Sequence, residues 1–165
     1  MKKITALLVC FIVLFSLCAC EDKVNTQNNK NINVTFELDS NKSNNETVYV
    51  ATSLPVGMKL EVEIKQGNYD SVETVEVQGD INGNYIETEP QRDENEKPIK
   101  EGNYILKITS PEYYEQSADI INQIGEKGEK LVGTSVFSDE ETKEKFINYS
   151  KPLKLKDHIF SINEN

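Results

Sequence analysis

The chain of 165 residues has no tryptophan, one histidine, one arginine and three cysteines. With His158 as the only imidazole, His-rich metal sites and His-based catalytic dyads have almost nothing to draw on. The cysteines, Cys10, Cys18 and Cys20, all lie at or before position 20. Everything after them can form neither a disulfide nor a Cys-ligated zinc site and offers no thiol nucleophile. Cations are also scarce: 18 Lys+Arg stand against 28 Asp+Glu, a formal charge of -10. Unassisted binding to a nucleic-acid backbone needs clustered Lys and Arg, so no nucleic-acid partner is expected. With eight glycines and five prolines the chain is not collagen-like, and 37% hydrophobic with 28% charged residues is a globular composition. The length suits one domain of ordinary size, or a small one with a tail.

The first twenty residues differ from all that follow. Lys2 and Lys3 precede an apolar run over 4–17, broken only by Thr5 and Ser16, and Leu17-Cys18-Ala19-Cys20 closes it. A basic start, an apolar stretch and a small residue before the cut describe a secretory signal peptide. The run is short for a membrane span, which needs about 20 apolar residues. Its end resembles a bacterial lipobox: Leu17, Ala19 and Cys20 hold the matching positions, while Cys18 stands where Ser, Ala or Thr is usual. Cys18 and Cys10 follow Leu17 and Val9, which are not small, and are poor acceptors. The resemblance implies that 1–19 is removed and that Cys20 becomes the lipidated first residue. The chain would then be held on the extracytoplasmic face of the cell membrane, because two acyl chains anchor stably where one does not. An uncleaved anchor, or cleavage without lipid, are the alternatives.

Residues 20–45 are rich in Asn, Lys, Asp, Ser and Gln, too polar to order themselves. They read as a tether, and about 25 flexible residues span roughly 25–30 Å. The stretch 32–38 alternates and reads as a strand, either paired with the domain or part of the tether. From 46 to 165 the dominant period is two. Met58, Leu60, Val62 and Ile64 alternate with Lys59, Glu61, Glu63 and Lys65, as do Tyr104, Leu106 and Ile108 with their neighbours. Val48, Val50, Val75 and Val77 continue the pattern; Val72 is out of phase, which predicts a bulge or strand start near Glu73. Asn82-Gly83 is a hairpin signal. Further strands are expected over 131–137, 146–149 and 153–162. Seven to nine short strands with turns between them predict an all-β, antiparallel Greek-key sandwich.

Ile99-x-x-Gly102-x-Tyr104 has the spacing of a tyrosine corner, in which the phenol bonds to backbone a few residues upstream; a simple Gly turn is the alternative. The segment 117–130 reads as helix or strand: Ile120, Ile121 and Ile124 suit a short helical face that Gly125 and Gly128 would stop. Ser138-Asp-Glu-Glu141 has capping-box spacing and predicts a helical turn over 139–145.

The mature chain resembles small lipoproteins of low-GC Gram-positive bacteria. The resemblance covers about 50–150 and is carried by the lipobox, Leu54-Pro-Val-Gly57, Gly102-Asn-Tyr104, and Ile124-Gly-Glu-Lys-Gly128 with Leu131 and Gly133. It implies an immunoglobulin-like fold and carries over no activity.

No motif supplies chemistry. Gly128 to Gly133 has the glycine spacing of a phosphate loop, but Thr134 replaces the Lys that touches the phosphates. Asp80-Ile-Asn82-Gly83-Asn84 misses the glycine and glutamate positions of a calcium loop, and Asp93, Glu94 and Glu96 read as a solvated loop with at most weak calcium affinity. Carboxylate pairs could hydrolyse glycosides, yet nothing singles one out. His158 has no Ser or Cys partner motif and reads as a surface or edge histidine. Tyr113-Tyr114 after Pro111 cannot both face inward, so at least one ring is expected at the surface as a contact residue. The alternative has one ring packed over the end of the fold. The expectation is an anchored extracytoplasmic binding or interaction module of the cell envelope, with no enzymatic activity, cofactor or metal site. Its partners would be the membrane, through Cys20, and an envelope protein or small ligand. The rivals are a structural accessory of an envelope complex and a carboxylate hydrolase.

Overall fold

The computed structural model describes residues 30–163. The signal-peptide positions, Leu17, Cys18, Ala19 and Cys20, and the tether up to residue 29 lie outside the described residues. Within them the chain is mainly β, with twelve strands and one short helix.

The larger sheet is antiparallel and forms where the alternation is strongest. Its order is β5 (Tyr69–Glu76), β4 (Lys59–Gln66), β8 (Gly102–Thr109) and β11 (Lys145–Lys156). Two short strands, β10 (Val136–Ser138) and β12 (Ile159–Ile162), pair with the outer edge of β11 at its two ends. The smaller sheet runs β2 (Phe36–Leu38), β3 (Tyr49–Thr52), β7 (Gly83–Glu87), β6 (Gln78–Asp80), again antiparallel. Both sheets feed one core: Val50 and Ile86 from the small sheet join Leu60, Ile64, Leu106, Leu153 and Phe160 from the large one. Each such side chain contributes roughly 1.5–3 kcal/mol by leaving water. The stretch 32–38 belongs to the folded body. Its second half is β2, and β1 (Ile32–Asn33) pairs in parallel with β9 (Leu131–Val132).

Several expectations are corrected in detail. β5 pairs with β4 in unbroken register from Tyr69 to Glu76, with no bulge; Val72 lies opposite Glu63 on the outward face and is 65% exposed. Its phase slip marks a valine that faces water. The β6–β7 turn is Ile81-Asn82, one residue earlier than expected, because the Asp80 carboxylate accepts the N–H groups of Asn82 and Gly83 and closes the turn on itself. Between 138 and 145 there is a turn and no helix: Asp139 Oδ1 accepts from the N–H groups of Glu141 and Thr142, competing successfully with a helical start. The strand expected over 153–162 divides into the end of β11 and β12, and 131–137 divides into β9 and β10. Pro152 sits inside β11 without breaking it. Its carbonyl faces the β12 side, where Asn163 N–H donates to it at 3.1 Å, so its missing N–H lies beyond the last β11–β12 pair, Leu153 with Ile162.

The segment 117–130 contains a helix, α1 (Ala118–Ile124). Ser117 caps its start by accepting from Ile120 N–H at 3.3 Å, and Gly125 ends it at φ 94°. Seven residues are too few to be stable alone, so burial of Ile120 and Ile124 holds it. No helix among the described residues is long and apolar enough to cross a membrane.

These connections give the molecule two poles. Gln116 pins one: its side-chain amide accepts from Lys59 N–H and donates to Lys59 C=O, standing in for a strand partner at the start of β4. α1, β1 and β9 gather there. β4 then runs about 25 Å at the usual rise per residue. At its far end lie the β4–β5 turn, the start of β8 and the turn between β11 and β12.

Candidate functional site

Three separate segments meet at the pole remote from α1, and one buried carboxylate holds them. Glu46 is 2% exposed, ahead of β3 in the loop that follows β2. Arg92 Nη1 donates to Glu46 Oε2 at 2.9 Å, and His158 Nδ1 bonds to Glu46 Oε1. The chain's only arginine and only histidine thus converge on one side chain. The backbone is tied in the same place. Glu46 N–H donates to His158 C=O at 3.2 Å, and Gln91 N–H donates to Glu46 C=O at 3.0 Å. Asp157-His158 forms the two-residue turn between β11 and β12, and both residues have positive φ, as a mirror-image type I turn requires. Asp157 N–H donates to Glu101 Oε1 at 2.8 Å.

Burial raises the pKa of the Glu46 carboxyl, and the hydrogen bonds from His158 and then Arg92 outweigh it, holding the group below its ordinary range. The bond to Glu46 raises the pKa of the His158 imidazole, with Glu101 and Asp157 adding to the effect. The arrangement is a paired, hydrogen-bonded buried charge, the form in which a buried carboxylate is tolerated.

Beside this clasp opens a cleft of about 770 Å³, between the β4–β5 turn, the loop that carries Arg92, and Tyr104. Its floor is aromatic. The rings of Tyr69 and Tyr104 meet edge to face at 6.0 Å, and Tyr104 packs likewise on Phe160 at 5.6 Å. The Tyr104 hydroxyl donates to Lys100 C=O, four residues upstream, which is the bond that defines a tyrosine corner. Burial pushes its pKa up to about 12. Tyr69 Oη donates to Gln91 Oε1 at 2.9 Å, and Gln91 Nε2 donates to Glu73 Oε1 at 3.1 Å. Glu73 is pushed up by burial. Asp93 folds the rim by accepting from Asn95 and Lys97 N–H groups at 2.8 and 3.0 Å, and these bonds to backbone depress its carboxyl. Asp93, Glu94 and Glu96 do not converge: no group of three or more His, Cys, Asp or Glu among the described residues is placed to hold a metal ion.

Tyr113 and Tyr114 lie at the other pole and part company. Tyr114 is 80% exposed in a 3-10 turn. Tyr113 packs against the core with its hydroxyl over Gly128, and burial pushes its pKa up to about 12. One ring is a surface group and the other packs against the core, so of the two only Tyr114 stands fully in water.

In the sequence His158 stands isolated, and Glu46 and Arg92 belong to no motif. The signal within reach was their rarity, one arginine and one histidine, but nothing in the sequence places positions 46, 92 and 158 together. No family model, no curated protein and no solved structure matches the chain.

Proposed function

We propose that the chain is a lipoprotein anchored through Cys20 on the extracytoplasmic face of the membrane, and that its β domain is a binding module presenting the Tyr69–Tyr104 cleft away from the membrane. The observation that carries this reading is the placement of chain entry and cleft at opposite poles. The first described residues are held beside β9 at the α1 pole, where Ile32 N–H donates to Lys130 C=O at 2.8 Å and Val34 N–H to Val132 C=O at 2.7 Å. The cleft opens at the far end of β4. A tether leaving at one pole leaves the other free for a partner in solution or in the wall. The cleft also combines an aromatic floor with convergent polar groups, the usual composition of a ligand site.

The domain is read here as an immunoglobulin-like Greek-key sandwich. Two features support that reading: the Tyr104 corner bond, and chain crossings between the sheets at Val77 and over 88–101. The resemblance to small lipoproteins of low-GC Gram-positive bacteria points the same way.

Two measurements test the proposal. The intact mass of the mature protein from membranes should place a diacylglyceryl group on Cys20, and Cys20→Ala should leave unprocessed or released protein. A cysteine placed at Asn68, on the cleft rim, should react with an impermeant maleimide on intact cells. An unmodified Cys20, or labelling only after lysis, overturns it.

A further inference from the structure

We infer that the cleft takes a short peptide with both termini free; this rests on the binding-module reading above. The argument is charge matching. The cleft wall carries both signs: Arg92 and Lys100 against Asp70, Asp93 and Glu94. Most of these already have partners. Arg92 serves Glu46, Asp70 accepts from Lys65 Nζ at 2.8 Å, and Asp93 holds its own loop. Glu94 and Lys100 are different. Neither side chain enters a salt bridge among the described residues, and both are exposed at the cleft.

A ligand covering the cleft removes water from these two charges, and an uncompensated charge is costly. An apolar ligand offers no compensation. A polyanion meets three carboxylates and a polycation meets two cations. A zwitterion satisfies both ends: its carboxylate pairs with the Lys100 ammonium and its ammonium with the Glu94 carboxylate. Its middle lies against Ile99 and the Tyr69 ring, the apolar part of the wall. An extended tripeptide is about 10 Å long, and a cleft of about 770 Å³ accommodates it. A single amino acid would leave most of that space wet.

The test is calorimetric titration of the full chain in detergent micelles with trialanine and with N-acetyl-trialanine amide, which has the same backbone and no charged ends. Trialanine should bind with Kd below about 1 mM, and the blocked peptide about tenfold more weakly, the loss expected for one or two charge-assisted bonds. Lys100→Gln and Glu94→Gln should each weaken trialanine about threefold, half of that loss in free energy, and leave the blocked peptide unchanged. Neither side chain holds the fold together, so both variants should retain the wild-type circular dichroism. Equal binding of the two peptides overturns the terminal-charge assignment while leaving the cleft a binding site. No heat from trialanine at about 10 mM overturns the peptide assignment, and the Cys20 and Asn68 measurements then judge the module reading separately.

Discussion

The two poles solve the problem of reversing the chain in opposite ways. At the α1 pole, left-handed backbone falls mostly on glycine, as at Gly57 and Gly125, and the packing is apolar: Leu54, Met58, Ile120, Ile124 and Leu131 are all buried. At the cleft pole Gly67 and Gly102 share it with residues that carry side chains. Of the six non-glycine residues with positive φ among the described residues, five are there: Asn45, Glu46, Glu96, Asp157 and His158. Buried polar groups concentrate there as well, in Ser43, Glu46, Thr88 and Gln91. Holding a non-glycine residue in this region costs on the order of 1 kcal/mol or more. Glycine at 46 or 158 would remove that cost but also the carboxylate or imidazole that clasps the three segments. The difference teaches that the α1 pole is built for stability, while the cleft pole gives up some stability to fix particular side chains. Strain of this kind concentrates at functional sites.

The comparison is broken most severely at the α1 pole. Ile124→Ala empties a fully buried site and should cost about 2–5 kcal/mol in denaturant unfolding. It should leave the cleft's tyrosine environment, read by near-ultraviolet circular dichroism below the transition, unchanged. If the cleft signal moves as well, the poles are not independent.

Glu46→Gln acts on the clasp. It keeps the shape and removes the charge that Arg92 and His158 answer, at a cost of about 2 kcal/mol near neutral pH. The pH dependence is more diagnostic than the size. Glu46 has a folded pKa below its ordinary 4.5, so its contribution is present above pH 4.5 and lost as pH falls through the folded value. His158 has a folded pKa above its ordinary 6.5, so its contribution is complete below 6.5 and lost as pH rises through the folded value. The gap between wild type and Glu46→Gln should therefore be widest between about pH 4.5 and 6.5 and narrow on both sides. On the alkaline side it should narrow only partly, since Arg92 keeps its charge. A gap that is flat from pH 4 to 9 would mean that the histidine contributes nothing to the clasp.

These particulars also show what the sequence could reveal. The long strands were legible because alternation records a face: Leu60, Val62 and Ile64 point inward in β4 as the period of two requires. The tyrosine corner was legible because its bond is local, four residues apart. β6 was not separable from its neighbours, since Gln78, Gly79 and Asp80 are all exposed and the switch between sheets happens at one residue, Val77. The parallel β1–β9 pair joins residues about a hundred positions apart and is two residues long, too short to carry a pattern. The clasp was invisible for the same reason: His158 and Glu46 are 112 residues apart, and a pairing set by tertiary structure leaves no periodic trace.

The smallest effects come from two matched hydroxyl deletions, one at each pole. Tyr104→Phe removes the corner bond and leaves Lys100 C=O without its donor, so it should cost about 1 kcal/mol. Tyr113→Phe removes a hydroxyl that is buried over Gly128 and that, among the described residues, meets the Lys145 backbone without a well-aligned hydrogen bond. A buried group of this kind is a liability, and its loss should leave stability unchanged or raise it by up to about 1 kcal/mol. The neighbouring Tyr114→Ala, at a ring in water, should stay within about 0.5 kcal/mol of wild type. Both Phe variants keep the ring and its packing, so the contrast isolates the hydroxyl. If Tyr113→Phe destabilises as much as Tyr104→Phe, the Tyr113 hydroxyl has a partner, and the α1 pole depends on a second buried polar contact besides that of Gln116.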